Sequence, residues 1–250
     1  MVTLTNARKK LLKSLDTSKG RRQSGLFIAQ GAKCVLDTLP HFKAEAIYAL
    51  EDWACAHPEV KAKIVNRSDM KDISTLVTAP DVVAVYSIPN LEMQEPEPTQ
   101  LYLALDRVQD PGNLGTIIRV ADWMGVRTIY ASADTVDVWS PKVVQATMGA
   151  IARVRVCYLD DLASFLKKSG LPVYATSLDG DNIYTVPLPS SAIIVMGNEG
   201  SGISPETSAA ATCELYIPSY PPGEPTSESL NVAIATAITL SEFRRQTCKF

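Results

Sequence analysis

The chain has 250 residues, 46% of them hydrophobic and 20% charged, with a net charge of −3, and this is the composition of a globular protein long enough for one large domain or two modest ones. No apolar run reaches the length of a membrane span and the N-terminus lacks a signal-peptide core, so a cytoplasmic protein without membrane contact is expected. The mildly acidic balance does not by itself suggest a nucleic-acid partner, but its distribution does: residues 1–33 hold eight Lys and Arg against Asp16 alone, and such an arm favours a polyanion through counterion release. Its other reading is a solvated helix face.

In chain order, Leu4, Leu11, Leu12 and Leu15 mark a first helix over 4–16. A polar basic stretch, Thr17–Ser24, precedes a strand at Leu26–Ala29, and Gly31 opens a helix to Leu39. Strands at Ala46–Leu50, Lys63–Val65 and Val82–Tyr86 follow, with helices near 51–57 and 69–76, an alternating α/β unit. Ser87–Gln100, with three prolines and three glutamates, reads as a stiff exposed linker, and the domain division is set there: 1–97 with the linker from about 87, then 98–250. The second unit offers strands at Leu101–Leu105, Thr128–Ala131, Arg153–Tyr158, Val173–Thr176, Ala192–Met196 and Glu214–Ile217. Helices lie between them near 114–125, 141–151, 160–169, 205–211 and 229–246. Ser140-Pro141 and Ser204-Pro205 each place a capping serine before a proline suited to the first helical turn. This alternation predicts a mainly parallel sheet covered on both faces.

The five cysteines are odd in number, scattered and without a CxxC pair, so they read as reduced thiols, mostly small core residues. His41 and His57 have no Cys or His at ligand spacing, and no metal site is expected.

Parallel sheets gather ligands at the carboxyl ends of their strands. One such end carries Asp106 to Arg119, including Asn113 and Gly115. A second carries Gly197-Asn198-Glu199-Gly200-Ser201-Gly202, which matches neither a dinucleotide fingerprint nor a P-loop. Arg119, among Ile117, Ile118, Val120 and Ala121, is either snorkelling or aimed at an anion, and Asn113 is a candidate cap for its helix. The third stretch runs from Ile217-Pro218 through a proline-rich loop, Ser219–Glu228, to Ser229-Leu230-Asn231 and a helix rich in Ala and Ile. That helix reads as buried in a core or against another subunit. Ser229 and Asn231 at its mouth are cap candidates or working groups.

These three blocks, in this order and at these separations, resemble the SpoU (TrmH-type) RNA ribose 2′-O-methyltransferases of the SPOUT class. The resemblance rests on Asn113, Gly115 and Arg119; on Gly197, Glu199 and Gly202; and on Ile217, Pro218, Ser229, Leu230, Asn231 and Val232. It covers about 98–246, and Arg21–Ile28 also resembles the family's small L30e-like substrate-binding domain. Gln30 stands where many relatives carry Glu, and the Ser219–Glu228 loop is longer than usual.

The resemblance implies a C-terminal α/β SPOUT domain with a trefoil knot, a small N-terminal L30e-like α/β domain, a homodimer, and S-adenosyl-L-methionine as cofactor. It implies that Gly197, Gly202, Ile217, Pro218 and Leu230 hold the cofactor. It further implies that Arg119, Asn113, Glu199, Ser229 and Asn231 serve methyl transfer to a ribose 2′-hydroxyl, of ribosomal rather than transfer RNA. In the basic arm, Lys19, Arg21, Arg22 and Lys33 are the RNA-binding candidates. The alternatives are a transfer-RNA ribose methyltransferase, a non-catalytic RNA-binding protein of the same fold, an enzyme of another nucleotide, and a base methyltransferase of the same class.

Overall fold

In a computed structural model of the chain, residues 1–90 and 92–248 are described, and they divide into two compact units. The first takes Met1–Asn90 together with Asp137–Ala152; the second takes the described residues of Leu91–Val136 and Arg153–Phe250.

The first unit is built on a four-stranded sheet, β1 (Leu26–Gln30), β2 (Ala44–Ala49), β3 (Lys63–Ile64) and β4 (Val82–Ser87), in the order β1-β4-β2-β3. β4 runs antiparallel to β1 and β2, while β3 is parallel to β2. Side chains alternate across a strand, and here each face has its own core. Ile28, Tyr48, Val83 and Val85 meet Leu12 of α1 (Asn6–Ser14), Leu15 at its C-terminal cap, and Met70 and Ile73 of α5 (Arg67–Ile73). α3 (Ala32–Thr38) and α4 (Glu51–Ala56) complete the alternation. On the opposite face Phe27, Phe42, Tyr86 and Trp139 form an aromatic cluster, with Phe27 and Trp139 centroids 4.6 Å apart.

Trp139 explains why Asp137–Ala152, expected to lie with the rest of 98–250, belongs to the first unit. Its helix α7 (Pro141–Ala146), capped by Ser140 as anticipated, packs on β1. The stretch Thr17–Ser24, read from sequence as a polar connection, is a second helix, α2 (Ser18–Ser24), capped by the Thr17 hydroxyl. Its lack of apolar periodicity hid it, because what α2 buries is an arginine. Arg21, 3% exposed, donates to the Asp137 carboxylate from Nε and Nη2 (2.9 and 2.6 Å) and to the Leu15 and Asp16 carbonyls from Nη1. The expectation that Arg21 meets RNA is therefore corrected: it is buried, and four of its five donors are spent inside the unit. Lys19, Arg22 and Lys33 are exposed, Lys33 paired with Asp37 one turn away.

The second unit carries six strands, β5 (Leu101–Leu105), β6 (Thr128–Ser132), β7 (Arg155–Leu159), β8 (Val173–Asn182), β9 (Ala192–Met196) and β10 (Cys213–Tyr216). All pairings are parallel, in the order β10-β8-β9-β5-β6-β7. Continuous apolar runs such as Leu101–Leu105 and Ala192–Met196 are wholly buried, as a sheet covered on both faces requires. One face holds Tyr102, Ala104, Tyr130, Val173, Ala175, Ile193 and Val195 against Leu162 and Leu166 of α8 (Leu162–Lys168) and the region of α9 (Pro205–Ser208). The other is covered by α6 (Pro111–Trp123) and α10 (Val232–Thr247), where Phe243 meets Tyr174 of β8 edge-on at 5.3 Å.

The second half of the expected linker is not free. The Tyr130 hydroxyl donates to the Gln94 carbonyl, and the Glu97 amide donates to the Tyr102 hydroxyl, which laces this strap to the sheet. Cys34 and Cys157 are buried, burial pushing the Cys34 thiol up to about 11, whereas Cys55 is exposed and Cys213 and Cys248 are half-buried. Fewer of the cysteines are core residues than composition suggested. No helix among the described residues is long and apolar enough to cross a membrane.

Replacing Arg21 with Ala strands the Asp137 carboxylate and two carbonyls, so the urea midpoint should report a loss of about 3 kcal/mol, against less than about 0.5 kcal/mol for Arg22→Ala next to it. Equal, small losses would contradict the internal role of Arg21.

Candidate functional site

From β5 the chain moves outward through β6 and β7, then crosses back to add β8, β9 and β10 on the other side. The direction reverses at the β5–β9 pair, and in an open parallel sheet a crevice opens at the carboxyl ends of such a pair. The loops leaving β5 and β9 are the two blocks that stood out in the sequence.

Two polar side chains fix these loops to one another. Asp106, buried at the end of β5, accepts hydrogen bonds from the Ser204 amide and hydroxyl, both 2.6 Å. The hydroxyl expected to cap α9 is thus engaged by Asp106, and no side-chain cap bond forms there. Asn198 donates to the Arg107 carbonyl (2.8 Å) and accepts from the Gly200 and Ser201 amides, closing its own turn. Gly197 and Gly202 are required for that turn. A Cβ on Gly197 would overlap the backbone of Gly202 and Ile203, and Gly202 sits at φ +66°.

Asn113 does not cap α6, one of the two roles the sequence left open to it. Asp110 does, accepting from the Asn113 amide at 2.7 Å, with Pro111 in the first turn. The Asn113 side chain is consequently free to act elsewhere. Its Nδ2 donates to Glu199 Oε1 at 2.6 Å, and its Oδ1 accepts from Asn231 Nδ2 at 2.9 Å. Asn231 in turn caps α10, accepting from the Ala233 and Ile234 amides, a role the sequence left open between it and Ser229. One hydrogen-bonded chain, Glu199–Asn113–Asn231, thereby joins all three blocks.

Arg119 lies on the same helix as Asn113 and Thr116 at successive i+3 steps, a stripe that drifts about 60° per step away from the buried Leu114, Ile117, Ile118 and Ala121. It is exposed and makes no ion pair among the described residues. Ser229 is exposed, outside α10, and no hydrogen bond ties it to the chain of three. Ile217 and Pro218, directly after β10, are half-buried, and Leu230 is 47% exposed before α10. Apolar surface thus remains accessible beside backbone-rich turns.

Three residues of the site lie in the span Asp106 to Arg119 but received no role from the sequence: Asp106, Arg107 and Asp110. A capping Asp before Pro was a legible signal for Asp110. The burial of Asp106 and the left-handed backbone of Arg107 (φ 59°) were not legible, because both depend on the neighbouring loop.

The model of the SpoU rRNA Methylase family matches residues 100–241. A solved structure of a putative RNA methyltransferase of the TrmH family from Porphyromonas gingivalis is 41% identical, with a TM-score of 0.88 over 98% of this chain and 100% of that one. An AdoMet-bound rRNA methyltransferase from Sinorhizobium meliloti is 31% identical, with a TM-score of 0.85 over 100% and 98%. The 23S rRNA (guanosine(2553)-2′-O)-methyltransferase RlmP of Bacillus subtilis is 29% identical over 96% of each chain.

Loss of the cap in Asn231→Ala should lower stability by about 1 kcal/mol. A double-mutant cycle with Asn113→Ala should return a coupling of about 0.5–1 kcal/mol. Additive losses would mean that the two amides do not communicate.

Proposed function

Because the chain belongs to the SpoU rRNA Methylase family, we propose that it transfers the methyl group of S-adenosyl-L-methionine to a ribose 2′-hydroxyl of ribosomal RNA, in the cytoplasm. The observation that carries this reading is the Glu199–Asn113–Asn231 chain, which joins three loops at the crevice of a parallel sheet beside an unpaired arginine. Ribosomal RNA is favoured over transfer RNA by the rRNA enzymes that match nearly the whole chain.

The residues present fit the cofactor. An adenosine needs apolar walls and a few backbone hydrogen bonds, and Ile217, Pro218 and Leu230 supply accessible apolar surface while Gly197 and Gly202 bring backbone close. Bound there, the cofactor supplies an electrophilic methyl group on a sulfonium.

What remains for the protein is to orient the ribose and ease loss of its hydroxyl proton. Arg119, exposed and without a partner among the described residues, takes the RNA phosphate beside the target ribose, bidentately and at a fixed angle. A guanidinium keeps its own proton, so its contribution is positional and electrostatic: positive charge near the 2′-oxygen favours the developing alkoxide. Glu199, Asn113 and Asn231 hold the loops in register so that donor and acceptor meet. Ser229, exposed and adjacent in sequence to Leu230, is assigned a contact with cofactor or ribose.

In the first unit Lys19, Arg22 and Lys33 provide exposed positive charge that binds RNA. α6 and α10, joined at their ends by the Arg244 Nε to Met124 carbonyl bond, leave Trp123 87% and Ile234 51% exposed. Large apolar groups so exposed on packed helices fit a second copy of the chain, which makes the active form a homodimer.

Arg119→Ala should lower methyl transfer to ribosomal RNA about a hundredfold or more while S-adenosylmethionine binding, followed by calorimetry, is retained; undiminished turnover would remove Arg119 from the reaction. Trp123→Asp should convert the dimer to monomer in sedimentation velocity, and a wild-type chain that sediments as a monomer would refute the homodimer.

A further inference from the structure

Arg107 has a backbone that suits glycine and a side chain that does little for the fold. Its φ of 59° lies in the left-handed region, where a Cβ is disfavoured. The conformation is secured by backbone contacts that any residue would make: its amide donates to the Ser132 hydroxyl at 2.9 Å and its carbonyl accepts from Asn198 Nδ2 at 2.8 Å. By contrast the guanidinium makes only long bonds, Nε to Asp106 Oδ1 at 3.3 Å and Nη2 to the Gly202 carbonyl at 3.4 Å. The Ser204 amide and hydroxyl serve Asp106 Oδ2 at 2.6 Å, so the guanidinium adds only the one long bond to Oδ1.

Five N–H groups on a guanidinium and two long bonds leave three donors without a partner among the described residues. The side chain is 31% exposed. It stands at the end of β5, against the loop that follows β9, on the crevice where the strand order reverses. Strained backbone held in place by its surroundings is a feature of functional sites, and the inference runs from the outlier to the role.

We propose that Arg107 is a second RNA-phosphate contact of the methyl-transfer site, its left-handed backbone aiming a half-satisfied guanidinium from the end of β5 over the Gly202 turn. The proposal rests on the methyl-transfer reading of the same crevice. The ligand is an oxyanion, and two are at hand: a phosphodiester of the RNA and the carboxylate of the cofactor. Electrostatics separates them. S-adenosylmethionine carries a sulfonium and an ammonium against one carboxylate, so its net charge is positive, whereas the RNA is a polyanion. A chain of net charge −3 must also find local cations wherever it holds RNA. Arg107 and Arg119 then give the crevice two guanidiniums, one from the loop that precedes α6 and one from within it.

The test compares wild type with Arg107→Gly, Arg107→Asn and Arg107→Lys, using an unmodified 23S rRNA transcript and S-adenosylmethionine alone as probes. Glycine accepts φ 59° freely and asparagine tolerates it, so each variant, losing only the long bond to Asp106 Oδ1, should melt no more than about 2–4 °C below wild type. Both should bind the transcript about tenfold more weakly, and the slope of log affinity against log salt should fall by about one. Arg107→Lys should keep most of that slope, and cofactor affinity should be unchanged in all three. RNA affinity and salt slope equal to wild type in Arg107→Gly would overturn the proposal. So would a tenfold loss of cofactor binding, which would put the cation on the carboxylate, or a larger drop in melting temperature that tracks the loss of RNA binding, which would make Arg107 a strut. Because binding is read separately from turnover, a wild-type protein that binds the transcript but transfers no methyl group would sink the methyl-transfer reading and leave the phosphate contact to be decided by the slopes.

Discussion

Everything at the candidate site depends on how one asparagine is released from a routine duty. The first turn of α6 needs acceptors for its amides, and Asp110 provides one at 2.7 Å. Asn113 is left with a complete amide group, one donor and one acceptor face, and it spends both across the crevice. Only a side chain with both functions can stand between a carboxylate and a second amide. An Asp at 113 would repel Glu199, and a Leu would leave Asn231 without its acceptor.

The rest of the second unit supports that junction. The parallel sheet sets β5 beside β9, Asp106 and Asn198 lock the two loops, and Asn231 delivers the third by capping α10. Each bond is modest in net free energy, but the three loops are otherwise exposed chain, whose ordering costs conformational entropy. Hydrogen bonds made within the protein itself hold the loops together, so that the ordering cost is met by the fold. The first unit works under a different constraint. Its buried arginine, Arg21, gathers Asp137 and the end of α1, and so draws a segment from the middle of the sequence into a fold made mostly by the first ninety residues.

Much of this was legible in the sequence. Apolar runs of five residues separated by helical periods located the parallel strands, since burial on both faces leaves no other pattern. Glycines crowded around Asn198 and Glu199, and a Ser-Leu-Asn before an alanine-rich helix, marked the loops. What escaped detection depended on partners far away in the chain. Arg21 looked like one more surface cation because nothing nearby announced Asp137. Ser204 looked like a cap because Asp106 lies 98 residues before it. Asn113 and Asp110 were both plausible caps three residues apart, and only the geometry of the first turn separates them. Arg107 carried no signal, because left-handed backbone at a non-glycine residue cannot be read from residue type.

The central claim is that this three-residue chain organises a site for ribose methylation. The most direct test is to map 2′-O-methylated nucleotides in ribosomal RNA from cells that lack the protein and from the same cells supplied with wild type or with Asn113→Ala. The account predicts that one ribose loses its methyl group in the absence of the protein, regains it with wild type, and stays unmodified with Asn113→Ala. A methylation map that does not change when the protein is removed, or full restoration by Asn113→Ala, would contradict it.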